Sequence, residues 1–320
     1  MPDTKQNQDE YPKEWYFLEP GTILDQYIIE RPLAGGGFSS VYLARQRADQ
    51  HQVAIKEYLP RRLAHRTWQN MVQPISEETR TAFLMGRKRF LEEAKLLREL
   101  RHHNIVEVLN FFQANSTVYL VMTYEYGRIL GDYLLKEKKG RVSERFLLMV
   151  FPPLLDGVRL IHEHGMLHLD IKPQNILIRP GGDPLLFDFG AAQPYPRPEG
   201  GGKKVGRVLS NGFSPPEQYK PDGNIGPWTD IYSVGATMRM CLDGTYPPSA
   251  MERNEKDTLI PATRMYRKRY SNALLEAIDW AMNLESEQRP QTVEGFLEAL
   301  SKAEPAHELP PEEPGAAPHH

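Results

Sequence analysis

The sequence predicts an α+β chain in two lobes, a small β-rich lobe with one main helix followed by a larger, mostly helical lobe. Three observations predict it. Residues 27–58 hold three short β-branched or aromatic runs, Tyr27 to Leu33, Ser40 to Gln46 and Gln52 to Leu59, separated by glycine-rich or polar turns. Phe90, Glu93, Leu97 and Leu100 then share one helical face within 88–100. Beyond about residue 129 the apolar spacing turns helical and stays so.

Taken in order, the three runs read as antiparallel strands and 88–100 as the single main helix of the small lobe. Two further strands are expected at 105–112 and 117–124, and helices at 143–164, 229–242, 271–283 and 291–302. Residues 1–20 and 304–320 are polar, proline-containing ends expected to be flexible, the second rich in proline, glutamate and alanine. Between them lies one domain, 21–303, with its lobes at 21–126 and 127–303.

Composition narrows the function. With 40% apolar and 25% charged residues the 320-residue chain can bury a sizeable core, and a formal charge of −3 supplies no general attraction to nucleic acid or anionic membranes. Cys241 is the one cysteine, which excludes an internal disulfide and a cysteine-based structural zinc site and suits the cytoplasm. The N-terminus lacks an apolar signal run, and the densest apolar stretch, 146–155, contains Pro152 and Pro153 and is too short to span a bilayer. No histidine group suggests a metal site.

Six stretches carry chemistry: LAGGGFSSVYLA (33–44), VAIK (53–56), HLDIKPQN (168–175), DFG (188–190), SPPEQ (214–218) and QRP (288–290). A triphosphate needs backbone N–H donors at close range, and Gly35, Gly36 and Gly37 let a hairpin backbone approach without a Cβ in the way. Lys56 ends an apolar strand, so its ammonium needs a partner, either phosphate or carboxylate.

In this ordered set the chain resembles the protein kinase family, and specifically the bacterial serine/threonine kinases that look like eukaryotic ones, over roughly residues 24–302. The resemblance implies a protein-kinase-like fold and ATP with Mg2+ as cofactors, with Mn2+ able to substitute. It implies that Leu33, Ala34, Gly35, Gly36, Gly37, Phe38 and Ser39 cover the nucleotide, with Val41, Ala54 and Leu177 around the adenine. Met122 would stand behind the base, and Thr123, Tyr124 and Tyr126 would lie along the hinge.

Lys56 would meet the phosphates and pair with Glu93, which shares the inner helical face while Glu92 points elsewhere. Asp170 would orient the substrate hydroxyl and accept its proton, Lys172 would neutralise the transferring phosphoryl group, and Asn175 and Asp188 would hold magnesium. Lys172 and Ser210 favour serine and threonine substrates in proteins. Glu217 with Arg289 would form a buried ion pair that braces the helical lobe, and Asp230 would be the helix residue that holds the catalytic loop.

Three departures matter. Ala34 and Ser39 stand where the family pattern has glycine, and Leu169 stands where many kinases carry the arginine that pairs with an activation-segment phosphate. The segment 191–209 contains no serine or threonine, so activity is expected not to depend on its phosphorylation. An insertion at 57–83 separates Lys56 from Glu93. Two readings stand for it: packing against the helix carrying Glu93 to hold or release it, with the insertion or the tails as the place for a regulatory partner, or a plain surface elaboration. The alternatives are a pseudokinase, a nucleotide- or protein-binding regulatory module, and a small-molecule phosphotransferase, whose relatives usually lack the PPE and QRP features.

Overall fold

The stretch 27–30 alternates buried and half-buried positions whereas 53–58 is buried throughout, so these strands pair into one sheet, and a computed structural model describes residues 17–138, 142–196 and 208–303 of the chain. The chain divides into two compact units, Met1–Tyr126 and Gly127–His320. The expected C-terminal tail at 304–320 and most of the expected N-terminal extension lie outside the described residues.

In the small unit the strands are β1 (Ile23–Leu24), β2 (Tyr27–Gly35), β3 (Ser39–Gln46), β4 (Gln52–Tyr58), β5 (Ala64–Arg66) and β6 (Val72–Pro74). Helix α1 (Glu77–Leu97) precedes β7 (Val108–Ala114) and β8 (Thr117–Thr123). Six of these strands form one antiparallel sheet in the order β1-β2-β3-β4-β8-β7, and β5 with β6 makes a separate hairpin. Cross-strand partners share a face. The register Val41–Lys56–Leu120 and Leu43–Ala54–Met122 therefore puts Val41, Ala54, Lys56 and Met122 on one side. Tyr42, Ile55, Glu57 and Tyr119 fall on the other, with Leu18, Leu24, Tyr27 and Ile29 in its core.

Two expectations for this unit need correction. Residues 17–20 were expected in a flexible extension, yet Leu18 is 1% exposed, because Phe17 and Leu18 cover the Tyr42 side of the sheet. Helix 88–100 begins at Glu77, eleven residues earlier than its apolar periodicity suggests. Ser76 donates its backbone N–H to Thr79 Oγ1 at 3.1 Å, and Glu77 and Glu78 sit in the first turn, where carboxylates favour the helix N-terminus. Much of the 57–83 insertion is thus the end of β4, the β5–β6 hairpin and the first turns of α1.

Gly86 lies inside α1, where glycine ordinarily costs about 1 kcal/mol relative to alanine. Here a Cβ would fall 2.0 Å from Tyr58 Oη, whose ring stacks on Phe83 and packs against Phe90, each at 5.7 Å. Gly86→Ala is therefore expected to lower the melting temperature despite its better helix propensity. The change should be relieved when Tyr58→Phe removes the hydroxyl, as measured by circular dichroism.

The large unit opens with β9 (Arg128–Ile129), α2 (Leu130–Asp132) and a π-helical turn, Tyr133–Lys138, before α3 (Glu144–Glu163). Then come β10 (Met166–Leu167), a 3-10 turn at Pro173–Asn175, β11 (Ile176–Ile178), β12 (Pro184–Leu186) and β13 (Gln193–Pro194). The remainder is α4 (Pro216–Tyr219), α5 (Pro227–Asp243), α6 (Ala250–Glu255), α7 (Ala262–Tyr266), α8 (Asn272–Ala281) and α9 (Val293–Ser301). Helix α5 is buried along nearly its whole circumference, from Thr229 to Leu242, as expected of a helix enclosed by others. Helix α3 runs through Pro152 and Pro153; the carbonyls left without an N–H partner belong to Leu148 and Met149, and Met149 is solvent-exposed. No described helix is long and apolar enough to cross a membrane.

Candidate active site

In the large unit the loop after β10, the turn Pro173–Asn175 and the stretch before α4 bring four of the expected residues into one hydrogen-bonded cluster. Asp170 accepts from Lys172 Nζ at 2.8 and 3.0 Å, from Ser210 Oγ at 2.6 Å and from Asn175 Nδ2 at 3.0 Å. Lys172 also donates to Ser210 Oγ at 2.9 Å, closing a triangle. Asp170 is 7% exposed, and such burial strengthens charge-assisted hydrogen bonds. Beside the cluster opens a hollow of about 470 Å³ whose lining includes Lys172, Gln174, Ser210, Phe213, Tyr246 and Glu252.

Asp188 follows β12, whose pairing with β11 carries it to the same loop: Phe187 donates its backbone N–H to Asn175 O at 3.1 Å. Asp188 has φ +63°, a left-handed conformation uncommon for a residue with a side chain. The buried Phe189 ring packs 4.7 Å from His168, so the two motifs touch through apolar and aromatic surface. Leu177, on β11, pairs with Ile129 and Leu185.

The loop itself hangs on Asp230 of α5. Its carboxylate accepts the backbone N–H groups of His168 at 2.9 Å and Leu169 at 2.7 Å, and meets His162 Nε2 at 2.8 Å. Burial pushes that carboxyl up, but hydrogen bonds and charge from His162, with help from His168 and Leu169, win and hold it below the usual carboxylate range. Burial dominates at His168, which is held below the ordinary imidazole value against the pull of Asp230, Asp170 and Asp188. Leu169 itself, at φ +63°, is 4% exposed and packs with Leu167, Ile225, Ala191 and Tyr195, and Gln218 Nε2 donates to its carbonyl at 2.9 Å. Tyr195 in turn donates its N–H to Gly165 O at 2.8 Å beside the β10–β13 pair. The middle of the 191–209 segment, residues 197–207, lies outside the described residues.

Glu217 and Arg289 form the expected buried pair, with Nη1–Oε1 at 2.6 Å and Nη2–Oε2 at 3.0 Å. Thr229 Oγ1 adds a bond to Glu217 at 3.0 Å. Arg289 also donates to the carbonyls of Asn283 and Leu284 and lies 4.9 Å over the Tyr232 ring.

In the small unit, Leu33 to Ser39 form the end of β2, a short exposed turn and the start of β3, closed by Gly36 N–H to Ser39 O at 2.9 Å. Lys56 is 6% exposed and its ammonium lies 5.8 Å over the Phe90 ring, one turn before Glu93 on α1. Glu93 is half-buried, whereas Glu92 is exposed and bonds Lys95 at 3.1 Å, as the face assignment requires. Thr123 ends β8; Tyr124 and Tyr126 follow with rings 5.1 Å apart, and Tyr126 Oη donates to Gln52 at 2.5 Å.

The donor set suits a hard cation and its phosphate. Asn175 uses its amide nitrogen on Asp170, and no hydrogen bond among the described residues reaches its Oδ1, leaving a hard oxygen on the turn next to Asp188. Among the described residues no three His, Cys, Asp or Glu gather as a metal group, so a magnesium ion held by Asn175 and Asp188 would take its other ligands from phosphate and water.

One buried network escaped the sequence reading. On the Tyr42 side of the sheet, the fully buried Glu57 accepts from Tyr42 Oη at 2.8 Å and Tyr119 Oη at 2.7 Å, and Arg66 from β5 also donates to it. Burial and the Glu57 charge push both tyrosines up; burial draws Arg66 down, but Glu57 outweighs it. The available signal was a second charge beside Lys56 in the apolar run VAIKEY. His162, missed as well, carried no motif.

Comparison with known proteins fits this geometry. A family model described as protein kinase domain matches residues 27–306. Serine/threonine-protein kinase D of Synechocystis is 29% identical over 310 residues, covering 92% of this chain and 56% of that protein. Human serine/threonine-protein kinase H1 is 29% identical over 255 residues, covering 77% and 51%. The chain spans about half the length of the curated relatives it matches. Among solved structures, PpkA-294 in its apo form aligns with a TM-score of 0.77 and 31% identity over 89% of this chain and 99% of that one. The Mycobacterium tuberculosis PknI kinase domain, at 18% identity and a TM-score of 0.66 over 89% and 99%, shares the fold. With the family model matched over residues 27–306 and Asp170, Lys172, Asn175 and Ser210 drawn into one cluster, the chain belongs to the protein kinase family, with a Mycobacterium tuberculosis kinase domain among its structural neighbours.

Proposed function

We propose that this protein is a serine/threonine protein kinase that transfers the γ-phosphate of ATP to serine and threonine hydroxyls of proteins. The observation that carries the reading is the Asp170 carboxylate, held by Lys172, Ser210 and Asn175 beside an open hollow. Magnesium-bound ATP supplies the phosphoryl group and shields its charge when bound. Asp170 orients the substrate hydroxyl and takes its proton, and Lys172, already bound to Asp170 and Ser210, faces the charge that develops on transfer. In the large unit Asn175 and Asp188 would hold the cation and Leu177 would meet the adenine; in the small unit Lys56, braced by Glu93, would meet the phosphates, and residues 33–39 with Val41, Ala54, Met122, Thr123, Tyr124 and Tyr126 would receive the nucleotide.

We further infer that activity does not require a phosphate on the 191–209 segment. Support comes from Leu169, whose buried apolar packing with Leu167, Ile225, Ala191 and Tyr195 occupies the position where an arginine would need an anion. A cytoplasmic location is supported by the single buried cysteine.

Incubation with radiolabelled ATP, Mg2+ and a generic protein substrate is expected to yield phosphoserine and phosphothreonine, at a rate unchanged by prior phosphatase treatment. Nucleotide binding without transfer would instead identify a binding module, and a rate lost on phosphatase treatment would refute the phosphate-independent part.

A further inference from the structure

Gly35 is not one of the glycines that the family pattern requires, and among the described residues its φ is absent from the left-handed set. Its surroundings explain it. A Cβ there would lie 2.6 Å from the Phe17 ring and 2.6 Å from Arg61 Nη2, whereas a Cβ on Gly36 or Gly37 would meet nothing within 4 Å. The glycine-rich hairpin is therefore open at its tip and pressed from outside at its base.

The two side chains that press on it are themselves held. Arg61 lies 6.0 Å over the Phe17 ring, and Phe17 packs edge-on against Tyr42 at 6.1 Å and 89°. Leu18 donates its N–H to Tyr42 Oη at 3.3 Å, and Tyr42 is locked by Glu57 and Arg66. The chain carrying Arg61 also grips the tip through its backbone: Arg61 N–H donates to Gly37 O at 2.9 Å and Leu59 N–H to Phe38 O at 3.1 Å. The tip Gly36–Gly37–Phe38 is exposed and has few side-chain contacts to order it. Three consecutive glycines would otherwise leave that turn with large backbone freedom, which ligand binding would have to remove.

We propose that Phe17 and Arg61 are positioning residues for the glycine-rich hairpin, fixing its backbone N–H groups for phosphate so that the N-terminal segment and the insertion together set nucleotide affinity. The inference rests on the kinase reading, in which that hairpin receives the triphosphate. Ordering the turn before ligand arrives lowers the entropic cost of binding. Because Phe17 and Arg61 press on the hairpin from the side of the sheet occupied by Tyr42, opposite Lys56, their effect falls on affinity and leaves the Asp170 chemistry alone.

The test uses the full chain and a fluorescent ATP analogue with Mg2+. In Phe17→Ala/Arg61→Ala the dissociation constant and KM for ATP should rise about three- to tenfold, the change expected from freeing one or two ordered side chains and their turn. The kcat at saturating ATP should stay within about twofold, since a positioning residue for binding acts on KM. Gly35→Ala, which drives the same two side chains outward, should reproduce the loss in the wild-type background but add little in the double variant, because both act through one contact. Phe17→Leu, which keeps an apolar plug, should recover most of the affinity. Unchanged affinity in the double variant, or a loss of kcat in step with falling thermal stability, overturns the proposal while leaving the kinase reading intact. A wild-type chain that binds no nucleotide overturns both.

Discussion

Asp170→Asn is expected to reduce phosphoryl transfer by about a hundredfold to ten-thousandfold, the usual contribution of a positioned general base. The substitution keeps the size of the side chain and removes its charge. Asparagine can still accept a hydrogen bond, but it would turn an amide NH2 toward Lys172, Ser210 or Asn175, all of which now donate to Asp170. The substrate hydroxyl would then meet no base, and Lys172 would lose the carboxylate that holds its ammonium at 2.8 Å. Nucleotide affinity should change little, since the cation ligands proposed are Asn175 and Asp188. Transfer rates at saturating ATP, alongside equilibrium nucleotide binding, separate the two. Near wild-type transfer in the variant would exclude Asp170 as the base.

Arg289→Met should destabilise the large unit by about 3–5 kcal/mol, because it strands a buried carboxylate. Glu217 is 6% exposed, and Arg289 donates to both of its carboxylate oxygens as well as to the carbonyls of Asn283 and Leu284. Losing the arginine leaves those acceptors buried with fewer donors. On a unit of this size, that penalty corresponds to a fall in melting temperature on the order of 10 °C. The double variant Glu217→Gln/Arg289→Met, in which no charge remains uncompensated, should recover a sizeable part of the loss. Thermal unfolding followed by circular dichroism decides it: equal melting temperatures for wild type and Arg289→Met would show that the pair is solvated.

Much of the large unit could be read without coordinates because its requirements are local. Helices expected at 143–164, 229–242, 271–283 and 291–302 appear at Glu144–Glu163, Pro227–Asp243, Asn272–Ala281 and Val293–Ser301, each marked by apolar spacing and, in three of the four, by a Ser or Thr cap. The same kind of spacing separated Glu93 from Glu92. Helix α1 was read short because its early turns lack an apolar stripe. They are held by Tyr58 against Phe83 and Phe90 and begin at a polar Ser76–Thr79 cap that periodicity does not register.

The glycine-rich turn at 35–37, the strand that carries Lys56, the loop 168–175 and the turn at Asp188 were thus legible in the sequence alone, since each joins a chemical requirement to a short stretch of chain. Only the tertiary structure decided that Glu57 meets Arg66, that His162 reaches Asp230, and that Phe17 and Arg61 rest on Gly35. Those contacts arise from strand register and from segments that fold back across a sheet face, and nothing in the chain's local pattern encodes which partner a buried charge will find.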